Sequence, residues 1–279
     1  MRHTPRKHLL SYAILILGGI LMCYPLVWMF FASFKTNSEI FASKNLLPQS
    51  FSFDAYITGW QGVGEHSFSL FFINTLKLVT PTVLFTVLSC SVVAYGFARF
   101  SFPKKKLYFA LMLSTLMLPN SVIIIPRFLL FNKLGWLDSY LPFIVPALFA
   151  CYPFFIFMMV QFLRGVPTEL DEAAKIDGCN AVQTLALVLY PILKPALFSA
   201  GLFQLMWTWN DFFNTLVYIS KVEKFPLSLG LRISLDSASA VAWNQIMAMA
   251  LLSILPLIVL FFFAQRYFVE GISTSGIKG

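Results

Sequence analysis

The chain has 279 residues, of which 58% are hydrophobic and 17% aromatic, while only 11% are charged and the mean hydropathy is +0.78. A soluble domain of this length carries roughly 25% charged residues, so the composition sets the chain in the membrane class and argues against an ordinary soluble enzyme. Its net charge of +8 comes from short basic clusters beside apolar runs, which is the positive-inside pattern and not the basic face of a nucleic-acid-binding fold.

A bilayer core needs about 20 consecutive, mainly apolar residues per helix. Six segments meet that need. The first, Leu9–Phe34, follows the basic residues Arg2, Arg6 and Lys7. Its apolar run is too long for a signal peptide and no A-x-A site follows, so it reads as a retained helix. An outer connection over about 35–68, rich in Ser, Asn, Gly and aromatics, leads to Ser69–Ala98. The loop "RFSFPKKK" (99–106) precedes Leu107–Pro126, and the remaining spans are Leu141–Phe162, Ala196–Ile219 and Asn244–Tyr267. A second outer connection covers about 220–243. Placing 12 of the 20 Lys and Arg residues, including that dense loop, on the cytoplasmic side puts both termini there. Prolines interrupt or bound many runs (Pro25, Pro81, Pro119, Pro126, Pro142, Pro146, Pro153, Pro256). In lipid such breaks survive where neighbouring helices or a cavity satisfy the freed backbone groups, so they point to a packed bundle with a pathway. The four cysteines (Cys23, Cys90, Cys151, Cys179) show no CxxC spacing, which argues against a zinc site or a disulfide framework. The histidines are His3, His8 and His66, too little material for His-based catalysis.

Four of the 12 acidic residues, Glu169, Asp171, Glu172 and Asp177, fall in "TELDEAAKIDG" (168–178). Thr168 is placed to cap a helix, with Asp171 reaching back as in a capping box. Glu169, Asp171 and Glu172 then occupy the first turn, where the helix dipole favours negative charge. Gly178 is placed to end the helix in the left-handed conformation. The resulting helix, "ELDEAAKID", is too short to be stable alone and must be held by something. After it, "NAVQTLALVLYP" (180–191) reads as a second, more apolar helix running into Pro191 and Pro195.

Charged groups in or near spans are functional candidates. For Lys77 and Arg127 the simpler reading is snorkelling to the outer interface. Asp211 lies in "WTWNDFFN" (207–214) with Trp207, Trp209, Asn210 and Asn214. Aromatic faces stack on sugar rings and Asn or Asp bond hydroxyls, so the group suits a carbohydrate path. An interfacial aromatic belt with helix packing accounts for it equally well. Asn74 belongs to the same path or bonds a neighbouring helix. The tail "GISTSGIKG" (271–279) imitates a phosphate-binding loop, but Ile277 stands where Lys is needed, and no helix follows, so nucleotide binding by this chain is not expected.

The run "EAAKIDGCNAVQTLALVLYP" (172–191) resembles the EAA motif of ABC importer membrane subunits: EAA, three residues, Gly, nine residues, then Ile-x-Leu-Pro. Glu172, Ala173, Ala174, Gly178 and Pro191 fit, while Val188 and Tyr190 replace the usual Ile and Leu. The segments "NTLKL" (74–78), "AYGFARFSFPKKK" (94–106), "MLPNSVIIIPRFLLFNKLGWLDSYLPFIVP" (117–146), "WNDFFNTL" (209–216) and "FVEGISTSGIKG" (268–279) are similar to the carbohydrate-import branch and its second, MalG-type subunit.

That resemblance implies an all-α membrane protein of six transmembrane helices with the ABC importer type I fold. Residues 1–68 would hold the N-terminal tail, first helix and outer loop, 69–267 the five-helix core with the EAA loop at about 164–195, and 268–279 a cytoplasmic tail. It implies a heterodimer with a second permease subunit, two cytoplasmic ATPase subunits and an extracytoplasmic solute-binding protein, in a bacterial-type inner membrane. A coupling helix carrying Glu169, Asp171, Glu172, Ala173, Ala174, Asp177 and Gly178, with Pro191 after it, would dock on the ATPase. This chain would bind no cofactor, with ATP and Mg used by the partner. The tail from about Gly271 would reach the ATPase interface. Competing readings are an ion-coupled secondary transporter, an importer of a non-sugar solute such as a glycerol phosphate, and a membrane-embedded enzyme. The first lacks mid-membrane ionisable residues and paired broken helices. The enzyme lacks His, Cys or paired carboxylates suited to catalysis in its spans.

Overall fold

A computed structural model describes residues 5–62, 64–236 and 242–275. In chain order the helices are α1 Pro5–Ala32, α2 Asn37–Ala42, α3 Asp54–Gln61, α4 Phe68–Arg99, α5 Lys105–Thr115, α6 Asn120–Lys133, α7 Leu141–Leu148, α8 Pro153–Arg164, α9 Glu169–Ile176 and α10 Ala181–Gln183. A π turn, Thr184–Leu189, then leads directly into α11, Tyr190–Trp209. The chain continues with α12 Phe213–Tyr218, α13 Leu227–Asp236 and α14 Trp243–Ser275.

Among the described residues, five stretches are long and apolar enough to cross a bilayer: Ser11–Ala32, Phe68–Arg99, Leu141–Arg164, Ala181–Trp209 and Trp243–Gln265. The pair α5 and α6 makes a sixth only as a broken span, because the two helices bend by 100° at their junction. The expected continuous span Leu107–Pro126 is thereby corrected. Pro119 holds an extended conformation (φ −66°, ψ 143°) just before α6, and a residue preceding proline is pushed out of the α region.

The expected span Ala196–Ile219 is also shifted. The second apolar helix was expected to run into Pro191 and Pro195, and the helix continues through both to Trp209. Proline lacks a backbone donor, and its ring crowds the carbonyl four residues back. The π turn solves this by widening the ladder, with the Tyr190 N–H reaching back five residues to the Leu185 carbonyl. At the far end the Asn210 side chain donates to the Met206 carbonyl at 2.8 Å and competes with the ladder where the helix stops.

The chain divides into two compact units. In the first, formed by residues 1–69 and 230–256, Phe34 packs edge-on or tilted against Phe30, Phe51, Phe53 and Tyr56. The Tyr56 hydroxyl shares a 2.8 Å hydrogen bond with Ser33. Over its most apolar stretch the span Ser11–Ala32 has no buried residue within this chain, so most of that surface is left for lipid or another chain.

The second unit, residues 70–229 and 257–279, has a core of side chains from α4, α8, the π turn and α11. Cys90, Ala94, Phe155, Met159, Val160, Leu163, Leu189 and Leu193 are nearly or fully buried there. In lipid there is little hydrophobic gain from bringing helices together, so close packing over small residues must hold them. Ala94 and Ala200 sit in this core, and Gly201 lies where an added Cβ would be 3.6 Å from Val87. The expected tail 268–279 is not set off by a helix end. Residues through Ser275 continue α14, and residues 276–279 lie outside the described residues.

Candidate functional site

Helix α9 begins at Glu169 and ends at Ile176, close to the expected helix. Its start differs from expectation. Thr168 sits in the α region and makes no side-chain cap, so the expected capping box with Asp171 is absent. Asp171 has another partner: its carboxylate lies 2.9 Å from Arg99 Nε at the last residue of α4. A capping box does form one turn later, where Asn180 accepts from the Gln183 N–H and Gln183 accepts from the Asn180 N–H, each at 2.9 Å. The N-x-x-Q spacing at 180–183 was the available signal.

The end of α9 is as expected. Gly178 has φ +84°. The Cys179 N–H reaches the Ala174 carbonyl at 2.9 Å and the Gly178 N–H reaches the Lys175 carbonyl at 3.0 Å, the two bonds of a Schellman motif. Ala174 turns inward and is buried, while Glu169, Glu172, Ala173 and Asp177 are exposed. Ile176 is 87% exposed and Val182 75%. A helix of eight residues, with Asp177 just after it, thus shows solvent three acids and an apolar side chain, and its inward side holds one buried alanine and one ion pair.

Tyr190, where the motif departs from its usual leucine, shares a 2.9 Å hydrogen bond with Ser91 on α4. The substitution adds a polar tether that leucine would lack.

A polar turn between α11 and α12 organises the other candidates. The Asp211 carboxylate accepts the Asn214 N–H at 3.0 Å and both carboxylate oxygens accept from the Asn214 amide, at 3.0 and 2.9 Å. Asn120, at the start of α6, donates to the Asn214 amide oxygen at 3.3 Å. The turn lies beyond the end of the apolar helix at Trp209. Burial raises the Asp211 carboxyl above its ordinary value, opposed by the bonds from Asn214.

Two cavities meet at this turn. One, of about 540 Å³, is lined by Asn120, Tyr152, Gln204, Trp207, Thr208, Asn210, Asp211 and Asn214 among others. The other, of about 380 Å³, is more apolar and is lined by Arg127, Trp136, Phe143, Tyr152, Asp211, Asn214 and Tyr218 among others. Both fall within the size range of small-ligand sites, and the mixture of aromatic walls with a few convergent polar groups is what such sites need. Trp207 leans on Phe154 and Phe155, with ring centroids 5.0 and 5.2 Å away.

Of the expected path residues, Trp207, Asn210, Asp211 and Asn214 therefore come together. Two do not line these cavities. Trp209 is buried edge-on against Phe72. Asn74 is buried and donates to the carbonyls of Glu223 and Phe225 at 2.8 and 3.1 Å. Lys77 is exposed on α4, whereas Arg127, expected to snorkel, lines the smaller cavity. Gln204 was missed because a lone glutamine in an apolar run carries no pattern. Its amide donates to Thr208 at 2.8 Å, while its buried carbonyl oxygen has no hydrogen-bond partner.

Several apolar spans around a polar cavity, with a short Gly-terminated helix carrying outward acids, define a multi-span membrane transport protein. Residues 90–274 match the family of the binding-protein-dependent transport system inner membrane component, and the chain belongs to that family. It is 30% identical to the arabinooligosaccharides transport system permease protein AraQ of Bacillus subtilis (strain 168), over 100% of both chains. It is 26% identical to the trehalose/maltose transport system permease protein MalG of Thermococcus litoralis, over 98% of this chain and 99% of that one. Its fold matches a chain of a bacterial ABC transporter involved in the import of the acidic polysaccharide alginate, with TM-score 0.83 and 23% identity over 96% of this chain and 99% of the other. The chain is accordingly a multi-pass permease subunit of an ABC importer, a transport protein and not an enzyme.

Proposed function

We propose that this permease moves a sugar or oligosaccharide, working as one half of a heterodimer with a related membrane subunit. A binding protein outside the membrane delivers the solute, and two ATPase subunits on the cytoplasmic side drive alternating access. Helix α9 is the coupling helix, and both termini are cytoplasmic. ATP and Mg are used by the ATPase chains. Carbohydrate is favoured by the turn at Asp211. There an indole, several amides and a carboxylate face one cavity, a lining that suits stacking on a sugar ring and bonding to its hydroxyls. Relatives that match this chain over nearly its full length are named for oligosaccharide transport, in keeping with that lining. The docking role of α9 is supported by its exposed Ile176 and its outward acids, which would form charge-assisted bonds with basic groups on a partner.

Identifying the solute that co-purifies with the associated binding protein, and following its uptake into vesicles holding the whole complex, tests this reading. ATP-dependent uptake of a sugar is the expected result. Uptake that persists without the ATPase subunits would sink it in favour of an ion-coupled carrier, and a non-sugar ligand would overturn the carbohydrate assignment.

A further inference from the structure

The one acid that α9 turns inward is held by this chain itself. Arg99 and Asp171 form a charge pair at 2.9 Å with side chains only 8% and 14% exposed. The same guanidinium donates from Nη2 to the Val166 carbonyl at 2.9 Å, and more weakly to that of Pro167 at 3.5 Å. One side chain therefore grips both the turn entering α9 and its first turn of helix. Eight residues earlier on α4, Ser91 is bonded to Tyr190 at the start of α11. At 1.5 Å per residue the two grips lie about 12 Å apart along α4. Tyr95, between them in sequence, lines the same small cavity of about 350 Å³ as Arg99, Asp171 and Thr184.

A helix of eight residues that buries only Ala174 has no rigidity of its own. If a push on α9 is to move anything beyond the loop, the helix must be fixed to a long element. Helix α4 supplies it, running 32 residues from Phe68 to Arg99. The grip is also of a particular kind. The contact to Asp171 is a charge pair between Nε and one carboxylate oxygen, made where both side chains are largely shielded from solvent. Arg99 is suited to the task because its planar fork serves a carboxylate and a carbonyl at once, which the point charge of lysine does less well.

We propose that Arg99 is a positioning residue that mounts the coupling helix on α4, so that displacement of α9 by the ATPase moves α4 as a strut. The proposal rests on the reading of α9 as the coupling helix. It is tested in the intact complex with spin labels at two exposed positions, Lys77→Cys at the far end of α4 and Lys133→Cys at the end of α6, with the distance measured before and after ATP addition. The expected result is an ATP-driven shift in the labelled but otherwise native complex. Arg99→Ala and Asp171→Asn each reduce that shift well below its native size while the complex still assembles, with melting lowered because each breaks a buried pair, and Arg99→Lys retains part of the shift. The double variant loses no more than Arg99→Ala alone, since that variant already removes the ion pair along with the bonds to the Val166 and Pro167 carbonyls.

An unchanged shift in Arg99→Ala, additive losses in the double variant, or no ATP-driven shift in the native complex overturns the mount. Should Arg99→Ala prevent assembly, Tyr190→Phe removes only the second grip at nearly constant shape and is read the same way: a reduced shift supports the strut, an unchanged one overturns it. Cross-linking from Ile176→Cys to the ATPase separates the two ideas. No cross-link sinks the coupling-helix reading, whereas a cross-link with an undiminished shift in Arg99→Ala and Tyr190→Phe sinks the strut alone.

Discussion

Substituting Gly178 isolates the backbone at the end of α9 from everything that surrounds it. The residue has φ +84°, and a Cβ built there would meet no atom within 4 Å. The cost of a side chain is therefore conformational and owes nothing to crowding within this chain. An L-residue forced into the left-handed region costs about 1–2 kcal/mol, with asparagine the best tolerated after glycine. Because about 1.4 kcal/mol is a factor of ten in an equilibrium constant, Gly178→Ala should raise the share of loops with an unwound end roughly tenfold. Gly178→Val should do more, because a branched side chain is a worse fit to positive φ. Uptake and ATP hydrolysis measured in the same vesicles should show solute moved per ATP falling in the order Gly, Asn, Ala, Val, with membrane insertion intact. The position of asparagine is the critical result. It is larger than alanine but better suited to positive φ, so an asparagine variant worse than alanine would mean that bulk against the docked ATPase decides, and the backbone argument would fail. Full coupling in Gly178→Val would refute the lever altogether.

The remaining predictions use the same preparation. Gln204→Leu removes a buried carbonyl oxygen that has no partner, a relief of about 1–3 kcal/mol that offsets the lost bond to Thr208, worth about 0.5–1.5 kcal/mol. Melting of the complex should be unchanged or higher while the KM for solute rises; an unchanged KM would take Gln204 out of the path. Asn74→Ala strips donors from two carbonyls, which should cost about 1–3 kcal/mol of stability and lower the melting temperature with no change in KM. A raised KM would return Asn74 to the substrate path. Tyr190→Leu, which restores the usual residue of the motif, deletes one hydrogen bond to Ser91 worth about 0.5–1.5 kcal/mol. It should weaken coupling less than Arg99→Ala; a stronger effect would place the main grip at Ser91.

The outline of this fold was legible because it rests on patterns that survive in one dimension: apolar runs of bilayer length, a basic loop, and a glycine followed at fixed spacing by a proline. What was misread depends on partners distant in sequence. How a helix passes Pro191 was not legible, because proline removes a donor and only the packed chain reveals that a π turn absorbs the loss. Pro119 looked like one more proline in a span, yet it marks a bend of 100°. The turn at Asp211 was found by its aromatics and amides, but the same composition also brought in Trp209, which packs on Phe72. Gln204, which lines a cavity, stayed in the background because a single polar residue leaves no period to detect, and Arg127, which lines the other, was noticed but read as snorkelling because its neighbours across the fold are distant in sequence.

The acids of α9 carry the same lesson to its functional end. In sequence, Glu169, Asp171 and Glu172 were placed in the first turn for the helix dipole, Asp171 also for a capping box, and all four acids for docking on a partner. The fold divides them. Glu169, Glu172 and Asp177 face outward, free for another chain, whereas Asp171 is taken by Arg99 from 72 positions earlier in the chain. A helix with every acid outward would dock well but transmit little, since one buried alanine is a weak anchor. A helix with every acid inward would be rigid and featureless to its partner. Three acids facing out and one held by α4 let the same short segment, 169–177, be gripped from both sides, which is the condition for a lever.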